Sequence, residues 1–398
     1  MLQFTRALLS SDSVLARKSE LRRARRERHF MSKKSCEAAE SIKDALLRMA
    51  RVNCNFYLDL KGFLSMIIFK KLFAPIALLL CFTLPLSLTG CSASSAQPFS
   101  KTGFYFDTVI SLTCYGNDAQ TVLDEAFELC GHYENLLSYT KEGSDIWNIN
   151  HANGQPVTVD SETASLLQTA LYWSEKTDGL IDPTITPISQ LWNFSGDPAG
   201  PVPKQSQINA LLPHVDYHNI RIDGNTVTLA DPDAQLDLGF LAKGAIADRL
   251  KAFFLQKNIT SALINLGGNV LAVGQKPDGT AFRTGIKKPF SETNELVDIV
   301  ALKDQSLVSS GNYERCFREN GVLYHHILDP HTGYPADTGL SSVTILSDSS
   351  TDGDALSTSC FLLGYEKGRE LIDSLPDIEA LFVLSDGTIY RTEGFPQS

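Results

Sequence analysis

The spacing of apolar and polar residues predicts a chain in which strands and helices are interleaved. Residues 106–115 alternate between apolar and polar side chains, as a half-buried strand does. The apolar positions after Asp118 repeat at helical spacing, and a second helix is predicted from about Asp160 to a stop at Gly179. Between these helices, residues 138–150 are predicted to form a loop.

The second half of the sequence is richer in strand and hairpin signals. Short apolar runs are separated there by Asp, Asn and Gly, which favour tight turns. In chain order, the predicted elements are a hairpin turning at 223–225, a short strand at 235–239 followed at once by a helix, strands on both sides of the turn 265–269, a strand at 343–346, a helix with Asp352 as its N-cap, a helix near 366–373 and a hairpin turning at 386–387.

Composition is that of a folded protein with an acidic body. The 398 residues are 43% hydrophobic and 20% charged, which is enough for one large domain or two smaller ones. The net charge of −11 is unevenly distributed, because residues 1–65 are basic and the remainder is distinctly acidic. An acidic body argues against nucleic acid as a partner.

A secretion signal is predicted inside the sequence. From Met66 a pair of lysines precedes an apolar run at 72–88, and the tetrapeptide LTGC ending at Cys91 resembles a bacterial lipobox. Cleavage before Cys91 and lipidation of its sulfur would anchor the protein to the cell membrane, facing outward. The alternative is a single transmembrane anchor, for which an apolar run of about 17 residues with two prolines is short.

These signals predict a division of the chain. Residues 66–90 are the lipoprotein signal peptide, 91–102 a Ser/Ala-rich tether and 103–398 the folded domain. Because secretion signals act at the N-terminus, residues 1–65 are predicted to be an upstream extension with a misassigned start, or a disordered basic segment.

Four cysteines fall within the predicted domain, with no C-x-x-C spacing. A metal cluster is therefore not indicated, whereas one or two disulfides are permitted outside the cytoplasm. The simplest interpretation is that they are small buried hydrophobic residues. These residues are Cys114, Cys130, Cys316 and Cys360.

Reactive side chains are concentrated in residues 325–358. His325 and His326 are adjacent, and Asp354 and Thr358 are four residues apart, which places a carboxylate and a hydroxyl on one helical face. With substrate phosphates and water, such a pair can hold Mg²⁺. Simple helix capping is the alternative interpretation of the same residues.

Glycine-containing junctions elsewhere allow a ligand to approach the backbone. Residues 237–244 combine small residues with one cation at a strand-to-helix junction, and 265–269 contain a glycine pair. Residues 309–315 add hydroxyls, an aromatic ring and a guanidinium, and the Pro-containing segment 180–184 can line a pocket. Each signal alone is weak.

Together, these motifs resemble the FAD:protein FMN transferase family. The resemblance runs from about residue 103 to the C-terminus and preserves the order of five motifs. They are DLG with AKG (237–244), NLGGN (265–269), SGNYER (310–315), HILDP with TG (326–333) and DALST (354–358).

The resemblance implies an α+β fold of mixed and antiparallel sheets flanked by helices. It also implies a magnesium-dependent enzyme that cuts FAD, joins FMN through a phosphoester to a Ser or Thr of an acceptor protein and releases AMP. The implied metal ligands are Asp354, Thr358 and the carbonyl of Ala242. His326 matches the family's base, with Asp354 the other catalytic residue and His325 a rival for the base. The flavin-nucleotide pocket would comprise Asp182, Lys243, Gly267, Gly268, Asn269 and Tyr313.

The residue that covers the flavin, the acceptor and the reaction type are not decided by these motifs. Many family members carry an aromatic residue that covers the flavin, where this sequence has Thr140, with Tyr139 and Trp147 nearby. The acceptor is expected to be a separate protein, a membrane-associated electron carrier. Two rivals remain: a metal-dependent FAD pyrophosphatase that yields FMN and AMP, and a surface flavin-binding lipoprotein without turnover.

Overall fold

An eight-stranded antiparallel sheet organises the computed structural model, which describes residues 97–196 and 198–397. Its strands are β1 (Phe99–Tyr105), β2 (Thr108–Cys114), β6 (Ser261–Leu266), β7 (Asn269–Gly274), β10 (Ser306–Gly311), β13 (Leu340–Ser347), β14 (Glu379–Leu384) and β15 (Ile389–Arg391), paired in that order. Smaller sheets are formed by β3 (Val157–Thr158), β5 (Thr226–Leu229) and β4 (Ile220–Asp223), by β8 (Phe282–Lys287) and β9 (Leu296–Leu302), and by β11 (Cys316–Glu319) and β12 (Val322–His325).

Helices cover one face of the large sheet, and a hairpin packs on the other. The α-helices of the described chain are α1 (Ala119–Leu137), α2 (Asp145–Asn150), α3 (Ser161–Lys176), α4 (Thr186–Trp192), α5 (Gln205–Leu211), α6 (Ala242–Gln256) and α7 (Ser350–Asp373). Apolar side chains of α1 and α6 pack against β2, β6 and β7, whereas the β8–β9 hairpin packs on the opposite face. This arrangement confirms the α+β class with antiparallel sheets and flanking helices.

Several predicted elements need correction. Residues 138–150 are not all loop, because Ser144 caps α2 by accepting the N–H of Trp147 at 3.0 Å. Residues 235–239 form no strand, since Gln235 makes only an isolated bridge to Ile185. The N-cap of α7 is Ser349 and not Asp352, whose N–H donates to the Ser349 hydroxyl.

The C-terminal helix near 366–373 is the end of α7. Gly364 interrupts that helix with a φ of 77°, a left-handed conformation that glycine adopts without strain. The predicted hairpins at 223–225 and 386–387 and the turn at 265–269 are confirmed as the connections β4–β5, β14–β15 and β6–β7.

The signal peptide, Cys91 and residues 1–65 lie outside the described residues. No helix in the described part of the chain is long and apolar enough to cross a membrane. The strand β1 begins at Phe99, so residues 99–102 belong to the sheet and not to the predicted tether. The four cysteines of the domain are free thiols, three of them buried, which supports their interpretation as small hydrophobic residues.

The contact between α6 and α7 is close enough to require glycine. A Cβ atom on Gly244 would overlap the backbone carbonyl of Ser350 and lie 2.8 Å from the Cβ of Asp354. The N–H of Gly244 donates to Asp354 Oδ2 at 2.9 Å. Helix packing and the position of the Asp354 carboxylate therefore depend on the same residue.

We expect Gly244→Ala to lower the free energy of unfolding by about 1–3 kcal/mol, because the added methyl forces two packed helices apart. Urea unfolding at neutral pH measures this change. Gly131→Ala is the matched control, since a Cβ there meets its nearest neighbour at 3.6 Å and alanine favours a helix. If Gly244→Ala and Gly131→Ala had the same free energy of unfolding, the close contact between α6 and α7 would be contradicted.

Candidate active site

A cavity of about 740 Å³ opens between the large sheet, at β10 and the β1–β2 and β6–β7 turns, and the N-terminal half of α7. That volume is typical of sites for small molecules and cofactors. Most of the predicted site residues line this cavity, although they are far apart in the sequence. Those that line it are Asp182, Ala242, Lys243, Gly267, Asn269, His326, Asp354 and Thr358.

Asp354 lies at the base of the cavity with only 3% of its surface exposed. Its Oδ2 accepts the N–H of Gly244 and lies 3.7 Å from Lys243 Nζ. Burial raises the pKa of this carboxyl, and the Lys243 charge opposes the increase. Its Oδ1 accepts no hydrogen bond from the described residues. A bound cation would therefore find an available oxygen there.

The three residues predicted to supply metal ligands all line this cavity. Ala242 is the first residue of α6, and Thr358 lies one turn after Asp354 on α7. The Thr358 hydroxyl is 3.2 Å from the Ser310 hydroxyl at the end of β10. A carboxylate, a hydroxyl and a carbonyl match the hard oxygen ligands that Mg²⁺ prefers, so these residues fit the implied ion.

The position of Asp354 is fixed by a residue that the sequence did not single out. The Asp248 carboxylate, on α6, accepts the backbone N–H groups of Ser350 and Thr351 at 3.0 and 2.9 Å. It also accepts the Thr351 hydroxyl at 2.6 Å. A carboxylate at a helix N-terminus satisfies free N–H groups and interacts favourably with the helix dipole. Asp248 thereby holds the start of α7 against α6.

The adjacent histidines occupy different environments. His325, at the end of β12, is buried, with its ring edge-on to Phe361 and its Nε2 3.1 Å from the Ala336 carbonyl. His326 lines the cavity, and its Nδ1 has no hydrogen-bond partner among the described residues. Consecutive residues at a strand end point in opposite directions, which separates a structural histidine from one at the cavity.

Two cations face the cavity near His326. Lys243 Nζ donates to the Gly239 carbonyl at 3.0 Å and is near Asp354. Arg315 also lines the cavity, and its carbonyl accepts the N–H of His326 at 3.1 Å. Burial, reinforced by the Arg315 charge, lowers the pKa of His326 to about 3. His326 is therefore neutral at pH 7, and its burial makes it a weaker base than a free imidazole.

Two cavity carboxylates have different surroundings. Asp182 accepts the N–H and hydroxyl of Thr184 and the N–H of Tyr217, at 2.8, 2.6 and 2.9 Å. It therefore organises its own loop as well as lining the cavity. Asp237, which was not among the predicted contacts, accepts the N–H of Gly239 at 2.8 Å. Burial raises the pKa of both carboxyls.

Two predicted pocket residues do not line the cavity. The Tyr313 ring packs against Gly311 and lies 6.0 Å from the Phe290 ring. It therefore packs against residues 309–315 and is not part of the cavity lining. Gly268 sits at the outer side of the β6–β7 turn, where its N–H donates to Asn265. The other members of the turn, Gly267 and Asn269, face the cavity. Contacts of Gly268 and Tyr313 with a nucleotide stay predictions.

The model of the ApbE family matches residues 106–382, which is more than half of the chain. The chain belongs to the ApbE family.

Individual relatives agree with this assignment, which confirms the resemblance predicted from the sequence. A FAD:protein FMN transferase of Klebsiella pneumoniae is 38% identical over 299 residues, covering 74% of this chain and 92% of the relative. One from Treponema pallidum is 34% identical over 318 residues, covering 75% and 88%. The ApbE protein of Thermotoga maritima superposes with a TM-score of 0.70 at 33% identity, over 75% of this chain and 98% of that one.

The loop after α1 supplies one aromatic side chain to the cavity of this ApbE-family chain. Tyr139 and Thr140 both line the cavity. Trp147 does not, because its ring stacks on His151 with centroids 3.9 Å apart. Of the nearby aromatic residues predicted as candidates to cover a flavin, only Tyr139 is therefore in position.

The turn between β1 and β2 also reaches the cavity. Phe106 and Asp107 both have a φ of 55°, which defines a two-residue turn of the left-handed type. A bulky residue rarely adopts this conformation. The N–H of Phe106 donates to Glu134 on α1 at 2.9 Å, which helps to hold the turn in place.

We expect the buried His325 to make stability depend on pH. Burial lowers its pKa from 6.5 to about 4, so the unfolded chain binds a proton that the folded chain does not. Its contribution, at most about 3 kcal/mol, is complete above pH 6.5 and is lost as the pH falls towards 4. His325→Gln should therefore lose less unfolding free energy over this range in urea titrations. An unchanged pH dependence would contradict a neutral, buried His325.

Proposed function

We propose that this chain transfers FMN from FAD to a Ser or Thr hydroxyl of a separate protein. The convergence of His326, Lys243 and Asp354 on one cavity carries this proposal. The acceptor oxygen would attack the phosphorus on the FMN side of the FAD pyrophosphate. The bond from that phosphorus to the bridging oxygen breaks, FMN is joined to the acceptor as a phosphoester, and AMP leaves with the bridging oxygen.

The proton of the acceptor hydroxyl needs a receiver, because an unperturbed hydroxyl is a weak nucleophile at neutral pH. His326 is the cavity residue suited to this role, since its ring is neutral and its Nδ1 is not engaged by the described residues. Binding of the negatively charged pyrophosphate beside Arg315 and Lys243 would counter their effect on His326. This would raise its pKa only in part, because burial, the largest cause of the lowering, would remain.

Charge on the transferred phosphate must also be neutralised. Lys243 and Arg315 provide fixed positive charge at the cavity. Mg²⁺ held by Asp354, Thr358 and the carbonyl of Ala242 would supply further neutralisation of the phosphate oxygens. Asp248, by fixing the N-terminus of α7, keeps Asp354 in position for this role.

A location and a class of partner belong to the same proposal. The lipobox ending at Cys91 supports a lipid-anchored protein that faces outward from the cell membrane. We expect the acceptor to be a membrane-associated protein, because an anchored enzyme acts near the membrane surface. We expect it to be an electron carrier, because a covalently bound flavin can carry electrons.

The first experiment measures the mass of an acceptor after incubation with the full-length chain, FAD and Mg²⁺. A protein substrate of the Vibrio cholerae flavin transferase serves as the acceptor. We expect its mass to increase by one FMN, with release of AMP. Free FMN and AMP with an unmodified acceptor would instead indicate a pyrophosphatase, and intact FAD a binding protein.

Removal of the metal site tests the role of Asp354. We expect EDTA to stop transfer and added Mg²⁺ to restore it. Asp354→Asn should lower the rate at least about 100-fold, because a neutral amide holds the ion poorly. Asp352→Asn is the matched control, since Asp352 lies on the same helix but outside the cavity. A similar loss in both variants would indicate damage to α7 and not loss of a ligand.

The adjacent histidines provide a second matched pair. We expect His326→Gln to lower the transfer rate by about 100-fold or more while FAD still binds, because general bases typically contribute that much. His325→Gln should keep most of the activity. Rates with saturating acceptor and FAD affinity from fluorescence titration distinguish the two. If His325→Gln is the inactive variant, the assignment of the base is wrong.

A further inference from the structure

Two large apolar side chains are exposed beside the turn that enters the cavity. Phe104 on β1 and Val109 on β2 are cross-strand partners, and they are 68% and 65% exposed. No other large apolar side chain of the described chain is as exposed as these two. They lie on the face of the hairpin opposite the buried Ile110 and Leu112. The turn between their strands lines the cavity, and neighbouring exposed apolar side chains can mark an interaction site.

The strand that carries Phe104 is also the edge of the large sheet. On its other side, β1 has no partner strand among the described residues. Lys101 on this strand is engaged by Asp124 and is near the Phe127 ring, and both contacts come from α1 on the covered face. Within the part of the chain that the structure describes, the backbone edge is therefore open for pairing with another extended segment.

The hairpin geometry identifies the backbone groups that face this edge. Tyr105 and Thr108 flank a two-residue turn, so they form the first hydrogen-bonded pair of the ladder. Bonded and non-bonded pairs alternate in an antiparallel ladder, which makes Phe104 and Thr102 members of non-bonded pairs. Their N–H and C=O groups point away from β2, towards the open edge.

This edge runs directly to the cavity. Phe106, Asp107 and Thr108, which follow β1, line the cavity wall. The cavity is of a size for a nucleotide substrate, whereas an acceptor protein must remain outside and present one hydroxyl. A segment lying along β1 would end at the entrance.

We propose that an extended segment of the acceptor protein pairs with the open edge of β1 and packs an apolar side chain against Phe104 and Val109. The segment then continues past the Phe106–Asp107 turn, where its Ser or Thr hydroxyl reaches the cavity. This inference rests on the proposed function, because it assigns the surface that binds the protein substrate of that reaction.

Two substitutions separate the backbone and side-chain parts of this docking. Thr102→Pro removes an outward N–H without removing a bond of the β1–β2 ladder, and Thr102→Val keeps that N–H. Phe104→Ser removes the exposed ring. Val322→Ser on the β11–β12 hairpin is a control for loss of an exposed apolar residue elsewhere, since Val322 is 52% exposed and lies outside the cavity lining.

The full-length chain is assayed with FAD, Mg²⁺ and the protein substrate of the Vibrio cholerae flavin transferase. We expect Thr102→Pro and Phe104→Ser each to raise the KM for the acceptor by about tenfold, as the loss of a central contact does. The KM for FAD and the rate at saturating acceptor should stay within about twofold of the wild type. Thr102→Val and Val322→Ser should resemble the wild type.

Other outcomes have distinct meanings. An unchanged acceptor KM in Thr102→Pro and Phe104→Ser would overturn the docking site while leaving the transferase function intact. Absence of transfer by the wild type would overturn the proposed function first. If these variants instead convert a dimer to a monomer in sedimentation experiments without altering the acceptor KM, the edge binds a second copy of the chain.

Discussion

The Asp248 carboxylate on α6 binds the first turn of α7 through three hydrogen bonds, and much of the site depends on them. Asp248 satisfies the first free N–H groups of α7, while Gly244 allows the two helices to approach and gives Asp354 a hydrogen bond. If α7 shifted along its axis, Asp354 and Thr358 would both leave the cavity, because they lie on the same helical face. The geometry of the site is therefore a property of helix packing and not of loops alone.

Local patterns predicted much of the framework. The alternation in β2, the helical spacing in α1 and the turn residues of the β4–β5 and β14–β15 hairpins are short-range signals, and each one is present in the structure. The ordered motifs also contain most of the predicted site residues that line the cavity. These signals work because strand and helix periodicity and turn chemistry are decided within a few residues.

Long-range contacts account for what the sequence could not provide. Asp248 and Ser350 are about a hundred residues apart, and nothing local marks Asp248 as a cap for α7. Tyr313 belongs to a family motif, but the direction of its ring is set by packing against Gly311 and Phe290. His325 and His326 are distinguished by the direction in which each side chain points. Predicting that direction requires knowing where β12 ends.

The left-handed turn at Phe106 and Asp107 has a consequence for the evolution of this protein. Asparagine and glycine adopt that backbone more easily, so sequences exist that would fold more stably at this position. Either residue at position 106 would lack the aromatic ring that now forms part of the cavity wall. A substitution that relieves the strain at Phe106 would also remove its ring from the cavity wall, so stability and cavity shape are coupled at this residue.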